Sequence, residues 1–221
     1  MASLLTAHDI ALTLPGDDGP HLVLDGIDLE LAACTLTDIV GPSGSGKTML
    51  LRALARLLPD ATAQLALDGR PAEDYTPQAW RTEVALLPQI ASMRPGTVRE
   101  NLLLPWTLKV RHEEDPPDDD ALRDALTGVG LEAIALDRDA ARLSVGQAAR
   151  ISLLRVLLTR PRVLLLDEPD ASLDEASSEQ VARATVTFVE AGGTAARVRH
   201  RASDGLASRR LRLAGGALEE L

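Results

Sequence analysis

The amino-acid sequence predicts an α/β protein with a parallel sheet at its centre, on three observations. A G-x-x-x-x-G-K-[ST] pattern, Gly41-Pro42-Ser43-Gly44-Ser45-Gly46-Lys47-Thr48, stands between the apolar pair Ile39-Val40 and the helix-like run MLLRALARLL. A continuous apolar run, residues 163–166, ends in Asp167 and Glu168. Residues 23–31, VLDGIDLEL, alternate and make the beginning of the chain β-rich. An unbroken apolar run of this length fits a strand covered on both faces, and helices on both sides of a parallel sheet supply that cover.

Taken in order, residues 23–31 predict a half-buried strand, and residues 35–40 predict the strand that delivers the glycine-rich loop. Residues 50–58 carry a helical pattern stopped by Pro59, and residues 84–87 read as a short buried strand stopped by Pro88. Residues 113–120, EEDPPDDD, combine like charges with two prolines and predict a solvated linker that does not pack. Helical patterns resume at 122–129 and 151–158, ahead of the apolar strand at 163–166. There is no internal repeat.

A chain of 221 residues can bury a full core as one large domain or a domain with a subdomain. With 23 basic and 33 acidic residues its net charge is −10, which opposes a phosphate backbone, so no nucleic-acid partner is expected. No stretch reaches the ~18 uncharged apolar residues of a membrane span, and MASLLTAHDI lacks the pattern of a cleavable signal, so the expectation is a soluble, cytoplasmic protein. Cys34 is the single cysteine, which excludes an internal disulfide or a cysteine-built metal site. It reads as a small apolar filler.

The glycine-rich loop carries a specific chemistry. Its glycines allow successive backbone N–H groups to turn inward around phosphates, the following helix points its positive end at them, Lys47 neutralises the outer oxygens, and Thr48 offers one oxygen to Mg²⁺. Asp167 and Glu168 fall just past the end of a buried strand, where ligands bind in open parallel sheets. Asp167 there suits Mg²⁺ held through its water shell, and Glu168 suits the orientation or deprotonation of a water attacking a γ-phosphate. Ser144-Val145-Gly146-Gln147 precedes the helical run ISLLRVLL and reads either as a second anion-binding corner or as a capped helix start.

The loop at 41–48, Gln89 after a strand, LSVGQ at 143–147, VLLLDEP at 163–169, Ser172-Leu173-Asp174 and His200 occur in that order. In this the chain resembles, over nearly its whole length, the nucleotide-binding subunit of ABC (ATP-binding cassette) transporters. The resemblance implies a RecA-like P-loop core with a β-rich N-terminal part, residues 1–88 and 151–221, interrupted by a helical subdomain at 89–150. It implies ATP and Mg²⁺ as cofactors, with residues 41–48 on the phosphates, and Thr48, Gln89 and Asp167 around the metal. Glu168 is implied as the catalytic carboxylate, Gln89 as the water-sensing residue that touches a membrane partner, Asp174 as a dimer-seam residue and His200 as the contact to the γ-phosphate. Two copies sandwich two ATP molecules in that family, with Ser144, Gly146 and Gln147 of one copy completing the site of the other. The implied partners are a second copy and a separate polytopic permease, which would hold the chain on the inner face of the cell membrane. Gly96-Thr-Val-Arg-Glu-Asn101 resembles a segment of export-type members, and residues 96–111 together with 151–175 resemble a small bacterial branch associated with iron export. Trp106 and residues 102–104 are then expected near the membrane subunit or in ordinary core.

The chain departs from the family pattern at several positions. No Phe, Trp or Tyr precedes Tyr75, so the aromatic that usually stacks on adenine is missing; Thr13 or Leu14 takes its place, with His21 as a possible stacking surface. Val145 replaces a glycine of the signature, and Ala171 stands where a serine is common, which removes one hydrogen bond worth about 1 kcal/mol. Asp38, Arg197 and Arg199 fall in segments that read as buried strands, where an unpaired charge is very costly. Either the arginines reach a sheet edge or pair with acids, or His200 is held less firmly than the family pattern implies. The motifs also admit a soluble ABC-type ATPase of iron–sulfur assembly, whereas a P-loop kinase has no use for LSVGQ and Gln89.

Overall fold

The computed structural model describes residues 3–16, 19–171, 173–199 and 203–221. The chain opens with a long hairpin, β1 (Ser3–Gly16) and β2 (Gly19–Ala32), extending well beyond the alternating segment that announced it. Then come β3 (Leu36–Val40), α1 (Lys47–Leu54), β4 (Thr62–Leu67), β5 (Arg70–Pro71), α2 (Pro77–Glu83) and β6 (Val84–Leu87). A stretch with α3 (Val98–Leu102), α4 (Asp119–Gly128) and α5 (Val145–Leu157) leads to β7 (Val163–Asp167), α6 (Glu175–Glu190), β8 (Thr194–Val198), β9 (Arg209–Ala214) and β10 (Ala217–Glu220).

Two sheets result. An antiparallel sheet runs β2-β1-β4-β5, and a six-stranded sheet runs β10-β9-β3-β8-β7-β6, parallel from β9 through β6. Between the sheets lies the main core, in which Leu50, Leu51 and Leu54 of α1 are fully buried against strands of both. β7 is the strand that the unbroken apolar run promised: Val163 and Leu165 enter this core, while Leu164 and Leu166 enter another with Leu153 of α5 and Val181 of α6. A third core joins Val98 and Leu102 of α3, Leu122 and Leu126 of α4, and Ile151 and Leu154 of α5. Leu102 is thus core, and Trp106 is half-buried with its indole N–H lacking a partner among the described residues.

Several expectations need correcting. The acidic segment does pack at its end: Asp118 caps α4 by accepting from the Ala121 N–H (2.9 Å), and Asp119 pairs with Arg99 and Arg123. Clustered carboxylates are favourable at a helix N-terminus, where the unsatisfied N–H groups and the dipole are positive. α1 stops at Leu54, short of the expected 58, because Arg56 turns left-handed (φ 52°) and the Leu57 N–H returns to the Arg52 carbonyl (2.9 Å). α5 begins at Val145, so one helix crosses the division expected at 150/151. Cys34 is exposed in a left-handed turn (φ 56°) and fills no core.

The buried charges resolve through pairing with acids. Arg197 lies opposite Asp38 in the β3–β8 register and its Nε donates to Asp38 Oδ1 (2.9 Å), with both side chains nearly inaccessible. Asp204 accepts from both terminal nitrogens of Arg197 (3.0 and 3.1 Å). Burial opposes the charge on each, but the mutual hydrogen bonds outweigh it, holding the Arg197 guanidinium above its ordinary pKa and the Asp204 carboxyl below its own. Removing one partner of such a pair costs about 3–5 kcal/mol, because the other stays buried and unpaired.

Candidate nucleotide-binding site

The glycine-rich loop connects β3 to α1 at the edge of the parallel sheet where its strands end. Two of its glycines are imposed by close approach. A Cβ on Gly41 would fall 2.1 Å from the Leu213 carbonyl oxygen, and one on Gly46, which is left-handed (φ 94°), would sit 3.1 Å from the Leu24 and Val23 side chains. Gly46 also heads α1 without any side-chain cap, so the first N–H groups of the helix are left to a ligand. Around the loop lies a cavity of about 340 Å³ lined by residues 43–49, Leu14, His21, Val23 and Glu168.

Lys47 is only 5% exposed and is folded onto its own loop, donating to the carbonyls of Gly41 (3.1 Å) and Pro42 (2.7 Å). Burial lowers its pKa, and the negative charges of Glu168 and Asp167 act in the opposite sense. Beside it the Thr48 hydroxyl donates to Asp167 Oδ1 (3.0 Å), across 119 positions of sequence. Burial raises the pKa of Asp167, the Thr48 hydrogen bond lowers it, and the nearby Glu168 charge raises it again. A carboxylate so placed gains from a cation, and a threonine oxygen beside it is the hard-oxygen donor set that Mg²⁺ takes.

Glu168 follows the last residue of β7 in a left-handed conformation (φ 48°), a strained state for a side chain of this size that persists where surroundings over-determine it. Its N–H donates to the Val198 carbonyl (3.2 Å), and its Oε2 accepts from Gln89 Nε2 (3.0 Å). Lys47 and Thr48 at the start of α1, Gln89 after β6, and Asp167 and Glu168 at the end of β7 thus meet where the parallel strands end. His200 and Ser172 lie outside the described residues.

Ser144, Gly146 and Gln147 do not line this cavity. Ser144 caps α5 by accepting from the Gln147 N–H (3.2 Å), and Gln147 Oε1 accepts from the Ser144 N–H (3.0 Å), closing a capping box. The capped helix start is therefore realised, which leaves a second, intermolecular use open to the same corner. Gly146 is required by packing, since a Cβ there would lie 2.6 Å from Ser177 Oγ, whereas Val145 is 66% exposed and points clear of the fold. Asp174 caps α6, accepting from the Ser177 N–H (2.7 Å), and hydrogen bonds from Ser177 lower its pKa. Sequence reasoning missed Arg150, whose guanidinium ties the Gly146 carbonyl to those of Val129 and Gly130 (3.0–3.2 Å) and so anchors the signature turn.

Leu14 and His21 face each other in the β1–β2 register beside the loop, where a base attached to a triphosphate would extend. An aromatic stack is worth about 1–3 kcal/mol, and an aliphatic–imidazole pair recovers only part of it. GTP is expected to compete with ATP within about tenfold, a gap of about 1.4 kcal/mol. A competition assay in which ATP is preferred much more strongly would show that some other group reads the base.

A glycine-bounded lysine loop beside carboxylates at the end of a parallel strand defines a P-loop ATPase. The family model described as ABC transporter matches residues 24–171, and the chain belongs to that family, whose ATPase domain binds ATP. Its fold is the ABC ATPase fold: a bacterial Atm1-family ABC exporter with ATP bound superposes with a TM-score of 0.82 at 23% identity, over 98% of this chain and 38% of the exporter chain. Relatives include Protein STAR1 of Oryza sativa subsp. japonica (36% identical, 77% of this chain and 48% of the relative) and a hemin import ATP-binding protein, HmuV, of Streptomyces coelicolor (37%, 82% and 65%). The probable iron export ATP-binding protein FetA of Escherichia coli is 34% identical over 74% of this chain and 71% of its own length. The chain spans about half of the rice relative and about two-thirds of the Streptomyces one.

Proposed function

We propose that this chain hydrolyses ATP as the nucleotide-binding subunit of a transporter whose membrane permease is a separate polypeptide. The carrying observation is the convergence of two hydrogen-bonded pairs, Thr48–Asp167 and Gln89–Glu168, beside the buried ammonium of Lys47. In this reading the backbone N–H groups of residues 43–48 and Lys47 bind the β- and γ-phosphates, with the N-terminal end of α1 adding its dipole. Thr48, Asp167 and Gln89 would hold Mg²⁺, which would supply positive charge to neutralise the phosphate oxygens. Glu168 orients the attacking water and takes its proton, and Gln89 keeps that carboxylate turned into the site.

Ser144, Gly146 and Gln147 complete the site of a second copy. Nucleotide charge is then neutralised in full only when two subunits close head to tail around it, so ATP stabilises the dimer and hydrolysis loosens it. The permease follows because its alternative shapes hold the two subunits differently. Residues 89–150, the last six of which begin α5, serve as the helical subdomain facing that permease. No helix among the described residues is long and apolar enough to cross a membrane; in this reading the permease holds the chain at the inner face. Iron or an iron compound is the proposed cargo and export the direction, on the segment at 96–101 and on the name of the Escherichia coli relative; the Streptomyces relative is named for hemin import.

The test is Glu168→Gln, with molecular mass and phosphate release measured in ATP and Mg²⁺. The expected result is a nucleotide-dependent dimer with hydrolysis reduced about a hundredfold or more, the scale of a lost general base. Undiminished hydrolysis would take the catalytic role away from Glu168, and a monomer under saturating ATP, with permease supplied, would remove the sandwich.

A further inference from the structure

Behind the candidate site, five charged side chains are buried together: Asp38, Asp170, Arg197, Arg199 and, partly, Asp204. Arg197 and Asp38 are strand partners deep in the sheet. Arg199 is different in placement, because it joins two segments that border the chemistry. Its Nη2 donates to Asp170 Oδ2 (2.8 Å), its Nη1 lies 2.7 Å from Asp204 Oδ2, and its side chain is 7% exposed. Asp170 stands two residues past Glu168, in a turn closed by the Ala171 N–H donating to the Glu168 carbonyl (3.2 Å). Arg199 directly follows β8, its N–H donates to the Ile39 carbonyl of β3 (3.2 Å), and the next residue in the chain is His200.

The strained backbone of Glu168 is therefore held on both flanks. Its own N–H is taken by the Val198 carbonyl, and the turn after it is tied to the neighbouring residue of the same strand end by the Arg199–Asp170 pair. A left-handed glutamate is strained and keeps its position only while such ties last. We propose that Arg199 and Asp170 are positioning residues for ATP hydrolysis, acting through Glu168 by fixing its turn to the strand end that leads into His200. The proposal rests on the reading of Glu168 as the catalytic carboxylate.

The experiment compares Asp170→Asn, which keeps the shape but removes the charge, with Arg199→Gln, Arg199→Lys and the Asp170→Asn/Arg199→Gln double variant. kcat, KM for Mg-ATP, ATP affinity and melting temperature are measured for each. Asp170→Asn and Arg199→Gln are expected to lower kcat about tenfold or more with ATP affinity within about twofold of wild type, since a mispositioned carboxylate affects the reaction and not the phosphate cradle. The double variant should be no slower than the worse single one, because one contact is lost in all three, and Arg199→Lys should recover part of the rate. A folded Asp170→Asn protein with wild-type kcat overturns the proposal, as does loss of the fold in both single variants, which assigns the pair to the core. A wild-type chain that hydrolyses no ATP sinks the functional reading itself and this proposal with it, an outcome distinct from an active wild type with an unaffected Asp170→Asn.

Discussion

Lys47→Ala is expected to weaken ATP binding by about a hundredfold or more, some 2.7 kcal/mol, and to bring hydrolysis to background. The ammonium is buried and held by the Gly41 and Pro42 carbonyls, so it is already ordered at the mouth of the phosphate loop and needs only to turn toward the ligand. A charge-assisted hydrogen bond to phosphate in such surroundings contributes about 1.5–3 kcal/mol, and Lys47 has three donors to offer. The surrounding chain works against the ligand: its net charge is −10, Glu168 lines the same cavity, and the charge of Asp167 also acts on Lys47. Without Lys47 the backbone N–H groups face a triphosphate with two carboxylates beside it. Equilibrium titration with a fluorescent ATP analogue measures the loss, and affinity within a few-fold of wild type would show that phosphate is not held at this loop.

Asp167→Asn separates activity from stability. Hydrolysis in Mg²⁺ is expected to fall by about a thousandfold, equivalent to ~4 kcal/mol of barrier, because the carboxylate charge that holds the cation beside Thr48 is gone. Stability without nucleotide should move the other way. Burial raises the Asp167 pKa, so the folded chain binds that proton more tightly than the unfolded chain does. For a carboxyl with a raised pKa, the stabilisation is fully present below the ordinary carboxylate range and is lost as pH rises through the raised value. At neutral pH the ionised Asp167 is thus a net cost to the fold, and asparagine removes it while still accepting from Thr48. The variant should melt above wild type at pH 7.5, with the difference narrowing as pH falls into the ordinary carboxylate range. A variant that melts below wild type at neutral pH would contradict this electrostatic account, whatever its activity.

How much of this was legible beforehand differs from one residue to the next. The glycine-rich loop was legible because its requirement is local: left-handed and crowded positions tolerate only glycine, and Lys47 follows within the same turn. β7 was legible because a strand covered on both faces needs apolar side chains at every position. The acidic segment was misread from its composition, since charge repulsion within 113–120 was visible while the Arg99 that Asp119 meets lay twenty positions upstream. Helix α6 and the length of the first hairpin carry patterns too weak to read without the sheets they pack against. Arg197 and Arg199 looked like a contradiction in a buried strand and became pairs only once β3 and the segment at 203–206 were in place beside them.

By itself, then, the order of motifs along the chain determined the class of chemistry, because each motif states a backbone or charge requirement that adjacent residues satisfy among themselves. Tertiary structure alone decided which of these residues touch: that Thr48 meets Asp167, that Gln89 meets Glu168, and that Arg199 reaches Asp170. The physical reason is the strand order β3-β8-β7-β6, which brings distant loops to one edge of the sheet through hydrogen bonds and burial that no local window contains.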